Sequence, residues 1–518
     1  MAAEAGVKQG PAQGSRLLLG GYAALAESEW MGAAQASEVL EPVGVAEPRP
    51  RAVLPRLPRL HLGDLLRHEF TVAEATGLLM ASFFLSALLG AVRQVLFNAQ
   101  FGAGVEANAY YAAFRLPDTL FSLIAGGALS SAMIPVLLTA AREDGEAAAR
   151  RLTNLVLTAL LATFTVVVAL GEIVAPAFVT HLLAPGFDPA TSSLTVTLTR
   201  LMLVQPVILA AGSVATAALN SRNQFFLTAL SVASHNIALI AGIVASQLVP
   251  GLGIYGPTLG VVGGAVLQVL ILLPGLSGQA VRYRPVLDLG DTRLREVIRL
   301  LIPNGLAVGV SYTGFIVDTA FASQAPEQAA LPAIHNAWLL VGLPVALLGQ
   351  AVGQSAFPRL AAQADAGDWA QLRRTLGLAL AAVIVLVVPA ILALLGLGQF
   401  AIRVVFEHGK FHHAAGALTY DVLRPYALGL PAYVATEVVA RGLIALRDTR
   451  TPLVTNSLQL MGRAALMALL VGRVGVLAIP TAFAVMAAAE AVALGAILVL
   501  KLRRLSSAAL LQAYTRPS

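Results

Sequence analysis

The chain has 518 residues, of which 57% are hydrophobic and only 12% are charged, and its mean hydropathy is +0.78. Soluble domains carry about 25% charged residues, so this composition excludes a water-soluble globular protein and predicts a surface that mostly meets lipid. The 34 basic residues outnumber the 28 acidic ones, but they cluster in short links between apolar spans, which indicates membrane topology rather than nucleic-acid binding. The chain has no cysteine, which excludes disulfides and thiolate metal sites.

Residues 1–70 differ from the rest of the chain. They are rich in Ala, Gly, Pro and Arg, and they lack the basic start, apolar run and small-residue cleavage site of a signal peptide. We predict that they form a disordered cytoplasmic tail whose arginines touch anionic headgroups. A start codon assigned too far upstream is the alternative explanation of this segment.

From residue 72 onward, apolar stretches long enough to cross a bilayer follow one another. We predict twelve transmembrane helices, at residues 72–97, 107–141, 152–180, 191–219, 225–248, 254–275, 297–322, 331–358, 372–398, 414–446, 452–471 and 475–500. Alternate links are basic, whereas the opposite set contains only Arg403, Lys410 and Arg473. The positive-inside rule then predicts a multi-pass inner-membrane protein with both termini in the cytoplasm.

Matching features recur halfway along the chain. Pro117 and Pro344 are 227 residues apart, and Pro206 and Pro431 are 225 residues apart. The twelve spans therefore divide into two six-helix lobes, a parallel repeat around an axis along the membrane normal, with the expected substrate cavity between them. The predicted parts are an N-lobe (71–275), a basic cytoplasmic linker (276–296), a C-lobe (297–500) and a cytoplasmic tail (501–518).

Two arginines stand out in the first two predicted spans, where a charge costs at least about 2.5–3.5 kcal/mol and normally faces a partner or a wet cavity. Pro117, Pro135 and the small-residue run 125–128 in this region predict broken helices that line such a cavity. A guanidinium binds phosphate oxygens bidentately, so Arg93 is the main candidate for contact with an anionic head group. Arg115 either assists or lies near the outer end of its helix.

The repeat also pairs polar residues inside the membrane. It maps Arg93 onto Asp318 and Asn236 onto Arg463, on the first and fifth helices of each half. Asp318 and Arg463 are predicted to form a buried ion pair that locks or gates the C-lobe, with a purely structural pin as the alternative. A carboxylate without a partner there would bind a proton or a cation. Four further charges are expected to snorkel from helix ends: Glu172, Asp421, Arg424 and Arg441.

Several segments carry a family resemblance. They are GAVRQVLFNAQFG (90–102), ANAYYAAFRLPDTLFSLIAGGALSSAMIPVL (107–137), IVDTAFAS (316–323), FEHGKFHHAAGALTYDVLRPYALGLPAY (406–433) and RGLIALRDTRTPL (441–453). These motifs resemble the MurJ/MviN lipid II flippases of the MOP exporter superfamily. The resemblance covers residues 72–500 and implies an all-α, two-lobed bundle with a cationic central cavity for a lipid-linked pyrophosphate sugar. It also implies a role in peptidoglycan synthesis and alternating access coupled to sodium, protons or the membrane potential.

The chain departs from the family's pattern at several positions. Asn108 stands where the family has the aspartate of an Asp-Ala-Phe motif, and its position implies contact with the cavity. Asp318 matches an acid associated with a sodium site, but Arg463 and Met467 stand where its partners would be. An internal cation in place of a bound ion is the resulting hypothesis. The family commonly has fourteen helices, whereas twelve are predicted here.

These observations predict a transporter that moves a lipid-linked anionic precursor such as lipid II, without a cofactor or metal. Two alternatives stay open, namely a multidrug or polysaccharide-lipid exporter of the same superfamily and a non-transporting scaffold for envelope-synthesis proteins. A cavity of negative potential would favour drug export, and the missing family charges favour the scaffold. The sequence contains no nucleophile–base set and no ATP-binding loop, so no enzymatic activity is predicted. The expected partners are the lipid-linked substrate and membrane lipids.

Overall fold

The computed structural model describes residues 68, 70–124, 128–277 and 283–515. Within these ranges the chain is helical and contains no strand, which confirms the all-α class. The predicted tail 1–70, apart from His68 and Phe70, and residues 125–127 of the small-residue run lie outside the described residues. So does the section 278–282 of the predicted linker.

The first half of the described chain, residues 70–277, contains seven α-helices. They are α1 (Val72–Phe101), α2 (Val105–Ile124), α3 (Ala128–Phe178), α4 (Pro189–Met202), α5 (Val204–Asn220), α6 (Phe226–Leu248) and α7 (Tyr255–Ser277). A capping box between Thr71 and Glu74 starts α1, and the Asp188 side chain caps α4 ahead of a proline at the first helical position. These caps satisfy backbone donors that have no partner within the helix.

The second half, residues 283–515, also contains seven α-helices. They are α8 (Thr292–Ser323), α9 (Ala330–Pro344), α10 (Ala351–Asp365), α11 (Trp369–Val405), α12 (His413–Ala445), α13 (Arg450–Val474) and α14 (Ala478–Thr515). A π-helical turn, Val345–Gln350, joins α9 to α10. The Asp291 side chain caps α8 by accepting from the backbone of Arg293 and Leu294. Helix α14 continues past residue 500, the predicted limit of the C-lobe.

Nine stretches of the described residues are long and apolar enough to cross a membrane. One of them, residues 129–183, would be about 80 Å long as a straight helix, far more than one bilayer. It breaks at Gly145, whose φ of 80° and ψ of 174° are not helical. Another, residues 450–507, turns at Gly475, where φ is 58°. Helices α2 and α8 are not among the nine, and the count of twelve spans stays a prediction.

The outer faces of the bundle are apolar. Phe84 of α1, Ile173 of α3, Leu392 of α11 and Val492 of α14 are all exposed. Large apolar side chains exposed on so many helices are what a lipid-facing surface requires, because a soluble monomer rarely exposes wide apolar patches. The chain therefore has the surface of a multi-pass membrane protein.

Helices of each half pack mainly on one another. In the first half, α6 packs against α1 and α7, and α5 packs against α3 and α7; in the second, α12 packs against α9, α11 and α14. The halves meet where α8 lies against α2 and α3 and where α9 lies against α2. Helix α8 therefore joins the two halves.

A buried aromatic cluster supports the second half, in which the ring centroids of Tyr433 and Trp338 lie 4.9 Å and 5.3 Å from that of Phe483.

Asp448 holds the turn between α12 and α13. Its carboxylate accepts from the Thr451 backbone at 3.0 Å and from the Thr451 hydroxyl at 2.5 Å, and it pairs with Lys501 of α14. Partial burial opposes the charged form, but the bonds from Lys501 and Thr451 outweigh it, so the pKa of Asp448 lies below its ordinary value. The charged carboxylate is therefore the form that the fold stabilises.

Because the pKa of Asp448 is lower in the folded chain, its contribution to stability is present at neutral pH and is lost as the pH falls below about 4. Asp448→Asn is expected to lower the unfolding temperature at pH 7 and to bring the variant closer to the parent at pH 3. The measurement is thermal unfolding in detergent at both pH values. Asp365→Asn is the control, since its 3.0 Å pair with Arg447 is exposed and should matter little. An equal gap between Asp448→Asn and the parent at both pH values would contradict the assignment.

Candidate functional site

In the first half, Arg93 of α1 meets α6. Its Nη1 donates to Oδ1 of Asn236 at 3.1 Å, and Asn236 Nδ2 donates to the backbone oxygen and to the hydroxyl of Ser86, each at 3.1 Å. Arg93 is half-buried and Asn236 is fully buried. The two positions that the repeat placed on the first and fifth predicted helices are therefore in contact. The role of Arg93 and Asn236 in binding or gating stays a prediction.

The matching position in the second half holds an ion pair. Arg463 Nη2 of α13 lies 3.4 Å from Asp318 Oδ1 of α8, and the two residues are 4% and 5% exposed. The Arg463 guanidinium also lies over the Phe483 ring, 4.8 Å from its centroid. Gly314 leaves room for it, because an added Cβ would lie 2.4 Å from Arg463 Nη2. The predicted buried pair is confirmed, and its action as a gate stays a prediction.

Arg115 lies between the halves. Its Nε donates to the hydroxyl of Thr319 on α8 at 3.2 Å, and its guanidinium lies 5.6 Å from the centroid of the Phe315 ring. The residue is buried, about 15 Å along α2 from the start of that helix. Of the two alternatives, a location at the helix end is wrong. Arg115 instead contacts the helix that carries Asp318, and its contact with a substrate stays a prediction.

A layer of neutral polar side chains, which the sequence reasoning missed, joins α1, α2 and α9. Gln94 Nε2 lies 2.7 Å from both the Tyr111 hydroxyl and Asn336 Oδ1, and Asn98 Nδ2 donates to the same Asn336 oxygen at 3.1 Å. The His335 ring stacks on Tyr111 at 4.4 Å. Two amides one turn apart in an apolar helix, Gln94 and Asn98, were the signal available in the sequence. Their partner on α9 is about 240 residues away, so no local pattern reveals it.

Beyond this layer, where α1 ends and α2 begins, the halves touch directly. We call this region the closed end. Four hydrogen bonds join the halves there: Lys410 N to Ala99 O (2.7 Å), Leu331 N to Asn108 Oδ1 (3.3 Å), Asn108 Nδ2 to Gln328 O, and Gly186 N to Ser323 Oγ (3.1 Å). Every one of these bonds involves a main-chain group. Asn108, which the resemblance assigned to the cavity, is buried among these contacts, and a role in binding substrate stays a prediction for it.

Gly409 allows the closed end to pack closely. Its φ is 56°, and a Cβ there would lie 2.2 Å from the Ala99 oxygen. Both the left-handed backbone and the clash exclude a side chain at this position. Gly409→Ala is therefore expected to separate the end of α1 from the loop between α11 and α12. Gly367→Ala is the matched control, because Gly367 has a φ of 68° but no atom near the added Cβ.

The absence of native cysteine allows this prediction to be measured with spin labels. Val105→Cys and Ala414→Cys place one exposed label on each half at the closed end. Pulsed electron paramagnetic resonance on the reconstituted chain is expected to show a longer distance between the two spin labels with Gly409→Ala and the parental distance with Gly367→Ala. Identical distance distributions for both variants would contradict the role of Gly409.

Two further pairs of intramembrane charges differ in their exposure. Arg424 and Asp421 pair at 2.6 Å on the exposed surface of α12. Arg441, expected to snorkel, is instead 3% exposed and lies 3.8 Å from Glu437, so that prediction is wrong. Gly353 of α10 makes room for this side chain, since an added Cβ would lie 2.5 Å from Arg441 Nε. A small residue on the neighbouring helix therefore lets this pair stay inside.

The described residues form a multi-pass, all-helical bundle of two halves with buried intramembrane charges, which is the fold seen in membrane proteins of the MOP superfamily. The fold is similar to a structure described as "Lipid II flippase MurJ, inward closed conformation" (TM-score 0.69, 22% identity, covering 84% of this chain and 91% of that one). It is also similar to an inward-facing multidrug resistance MATE transporter of the MOP superfamily (TM-score 0.67, 13% identity, covering 81% and 96%).

Sequence comparison identifies the family. The model of the family "Lipid II flippase MurJ" matches residues 97–514. The lipid II flippase MurJ of Burkholderia cenocepacia is 30% identical over 397 residues, 75% of each chain. A probable lipid II flippase MurJ of Rhizobium meliloti is 28% identical over 378 residues, 71% of this chain and 70% of its own. The chain belongs to the MurJ family, as the sequence motifs predicted.

Proposed function

We propose that this chain is a flippase that moves lipid II, a lipid-linked pyrophosphate sugar, across the inner membrane for cell-wall synthesis. The family match over residues 97–514 carries the proposal, because it includes both halves and the contacts between them. The relatives named above, with coverage of at least 70% of their own length, support the same activity. The distribution of basic links supports an orientation with both termini in the cytoplasm.

We infer that Arg93 contacts the pyrophosphate. A guanidinium offers several donors in a fixed plane, which suits phosphate oxygens, and the Arg93–Asn236 bond orients the side chain from α6. The Asn236 amide is in turn fixed by Ser86, so the arrangement is held on two rigid helices. A positioned guanidinium loses less conformational freedom on binding than a mobile one.

We infer further that α8 moves during transport. It contacts Arg115 of the first half through Thr319 and is held to the second half by the Asp318–Arg463 pair. Asn108 and Arg115 both lie on α2, so a change in the contact between α2 and α8 reaches the closed end. Opening of that end and separation of α2 from α8 are then parts of one movement, which alternating access requires.

The positive charges of Arg93 and Arg115 favour an anionic substrate over a drug cation. An experiment distinguishes lipid II transport from drug export. The full chain, produced in a bacterium depleted of its own flippase, is expected to restore growth, and in proteoliposomes it is expected to move fluorescent lipid II faster than protein-free vesicles do. Failure of both assays would contradict the proposal. Export of ethidium without lipid II movement would favour the multidrug alternative.

A further inference from the structure

Glu490 of α14 is a buried carboxyl group that the proposed transport mechanism does not use. The residue is 5% exposed. Its Oε1 lies 3.2 Å from the Thr455 hydroxyl oxygen of α13, whose single proton is shared with the Pro452 carbonyl oxygen at 3.1 Å, and its Oε2 has no hydrogen-bond partner. No basic side chain of the described residues forms a salt bridge with it. This differs from Asp318, which has Arg463.

The charged groups on the neighbouring helices form ion pairs with residues other than Glu490. On α12, Glu437 pairs with Arg441, and on α8 Asp318 pairs with Arg463 of α13. Helix α11 has no titratable residue between Arg374 and Arg403. Of the other titratable groups on these helices, Tyr426 and Tyr433 of α12 contact the Phe483 ring, and Lys501 of α14 binds Asp448. Glu490 therefore faces a hydroxyl group and apolar surface.

Burying an isolated carboxylate in such surroundings costs much free energy, and binding a proton removes this cost because it removes the charge. A metal cation would remove it as well, but sodium- or calcium-like ions need several oxygen ligands, and Thr455 supplies one hydroxyl beside the carboxylate. A proton needs only the carboxyl oxygen without a partner. We propose that Glu490 is a proton-binding site of the second half, formed with Thr455 and distinct from the Asp318–Arg463 pair.

Helix α13 connects this site to the contact between the halves. Thr455, Gln459 and Arg463 are four residues apart and all buried, so they lie on one face of α13 over a length of about 12 Å. The Thr455 hydroxyl bonds Glu490, and Arg463 holds Asp318 of α8, which packs against α2 of the first half. Protonation replaces a charge-assisted hydrogen bond to Thr455 by a weaker neutral one. The proton thereby changes how α13 is held against α14, and its use as a coupling ion rests on the proposed flippase function.

Infrared difference spectroscopy on the full chain in liposomes, between acidic and alkaline buffer and without lipid II, tests the site directly. The parent is expected to show the C=O band of a protonated carboxyl group that disappears on alkalinisation. Glu490→Gln is expected to lose this band. Glu437→Gln is the matched control, because Glu437 is buried to a similar extent but is paired with Arg441, and this variant should keep the band.

Glu490→Asp keeps a carboxyl group and is expected to shift the frequency of the band, which provides the assignment even if Glu490→Gln fails to fold. A parental band in both Glu490 variants would overturn the proposal. A pH gradient is expected to accelerate lipid II movement by the parent and not by Glu490→Gln. A parent that moves no lipid II counts against the flippase proposal and not against the proton site, whose readout is spectral.

Discussion

Asp318→Ala is expected to lower the free energy of unfolding by about 3–5 kcal/mol, because it leaves the Arg463 guanidinium buried without its carboxylate partner. Arg463 keeps its contact with the Phe483 ring, but a ring face compensates only about 2 kcal/mol of such a charge. The measurement is unfolding by SDS titration of the chain purified in mixed micelles. A large loss of this kind also reduces the amount of protein in the membrane.

Two controls separate the buried pair from general effects of substitution. Asp421→Ala removes an acid from the exposed pair with Arg424, and its expected cost is at most about 1 kcal/mol. Asp318→Leu combined with Arg463→Met removes both charges and is expected to recover most of the stability lost with Asp318→Ala. Equal costs for Asp318→Ala and Asp421→Ala would show that the pair does not hold α8 to α13. Transport by the double variant then tests whether the pair also acts as a gate.

Arg93→Ala is expected to abolish rescue of flippase-depleted cells and to slow lipid II movement in proteoliposomes to the rate of protein-free vesicles. The physical reason is the loss of the bidentate donor for the pyrophosphate. Arg93→Lys keeps the charge but not the planar pair of donors, so it is expected to retain partial activity. Growth and lipid II movement are measured together with the quantity of protein in the membrane.

Arg200→Ala is the matched control for Arg93→Ala. Arg200 also lies in an apolar region, but it is exposed and lies 3.6 Å from Glu172, where an ion pair contributes little. Asn236→Leu removes the partner that orients Arg93 while leaving the guanidinium in place, and an intermediate loss of activity is expected. Full rescue by Arg93→Ala at parental protein levels would remove Arg93 from the substrate site.

The fold class and the Asp318–Arg463 pair could be predicted because their signals repeat, and the same repeat marks the positions of Arg93 and Asn236. A spacing of about 226 residues relates Arg93 to Asp318 and Asn236 to Arg463, and in both halves the first-helix residue contacts the fifth-helix residue. Nine stretches of the described residues have the length and hydropathy of a crossing, against twelve predicted spans. Arg115 and Asp118 lower the mean hydropathy of α2, and α13 and α14 run together at Gly475. Each of these signals is a spacing or a composition along the sequence, so it can be recognised from one chain.

What could not be predicted depends on contacts between distant segments. Arg441 stays buried because Gly353, 88 residues earlier, leaves space beside it and Glu437 neutralises it. The neutral layer of Gln94, Asn98 and Asn336 involves no charge whose cost would draw attention to it. Glu490 was recognisable as an intramembrane acid, but its isolation is visible only once every neighbouring charge is assigned to a partner.

The bonds at the closed end have a consequence for the medium in which the protein works. They join main-chain amides and carbonyls to one another or to uncharged side chains, as in the bond from Lys410 N to Ala99 O. Dissolved ions weaken contacts between exposed charges but leave bonds between neutral groups largely unaffected. The orientation proposed above, with both termini in the cytoplasm, places this seal on the outer side of the membrane. In that orientation we expect the seal to hold at both low and high salt concentrations on the side of the membrane that the cytoplasm does not buffer.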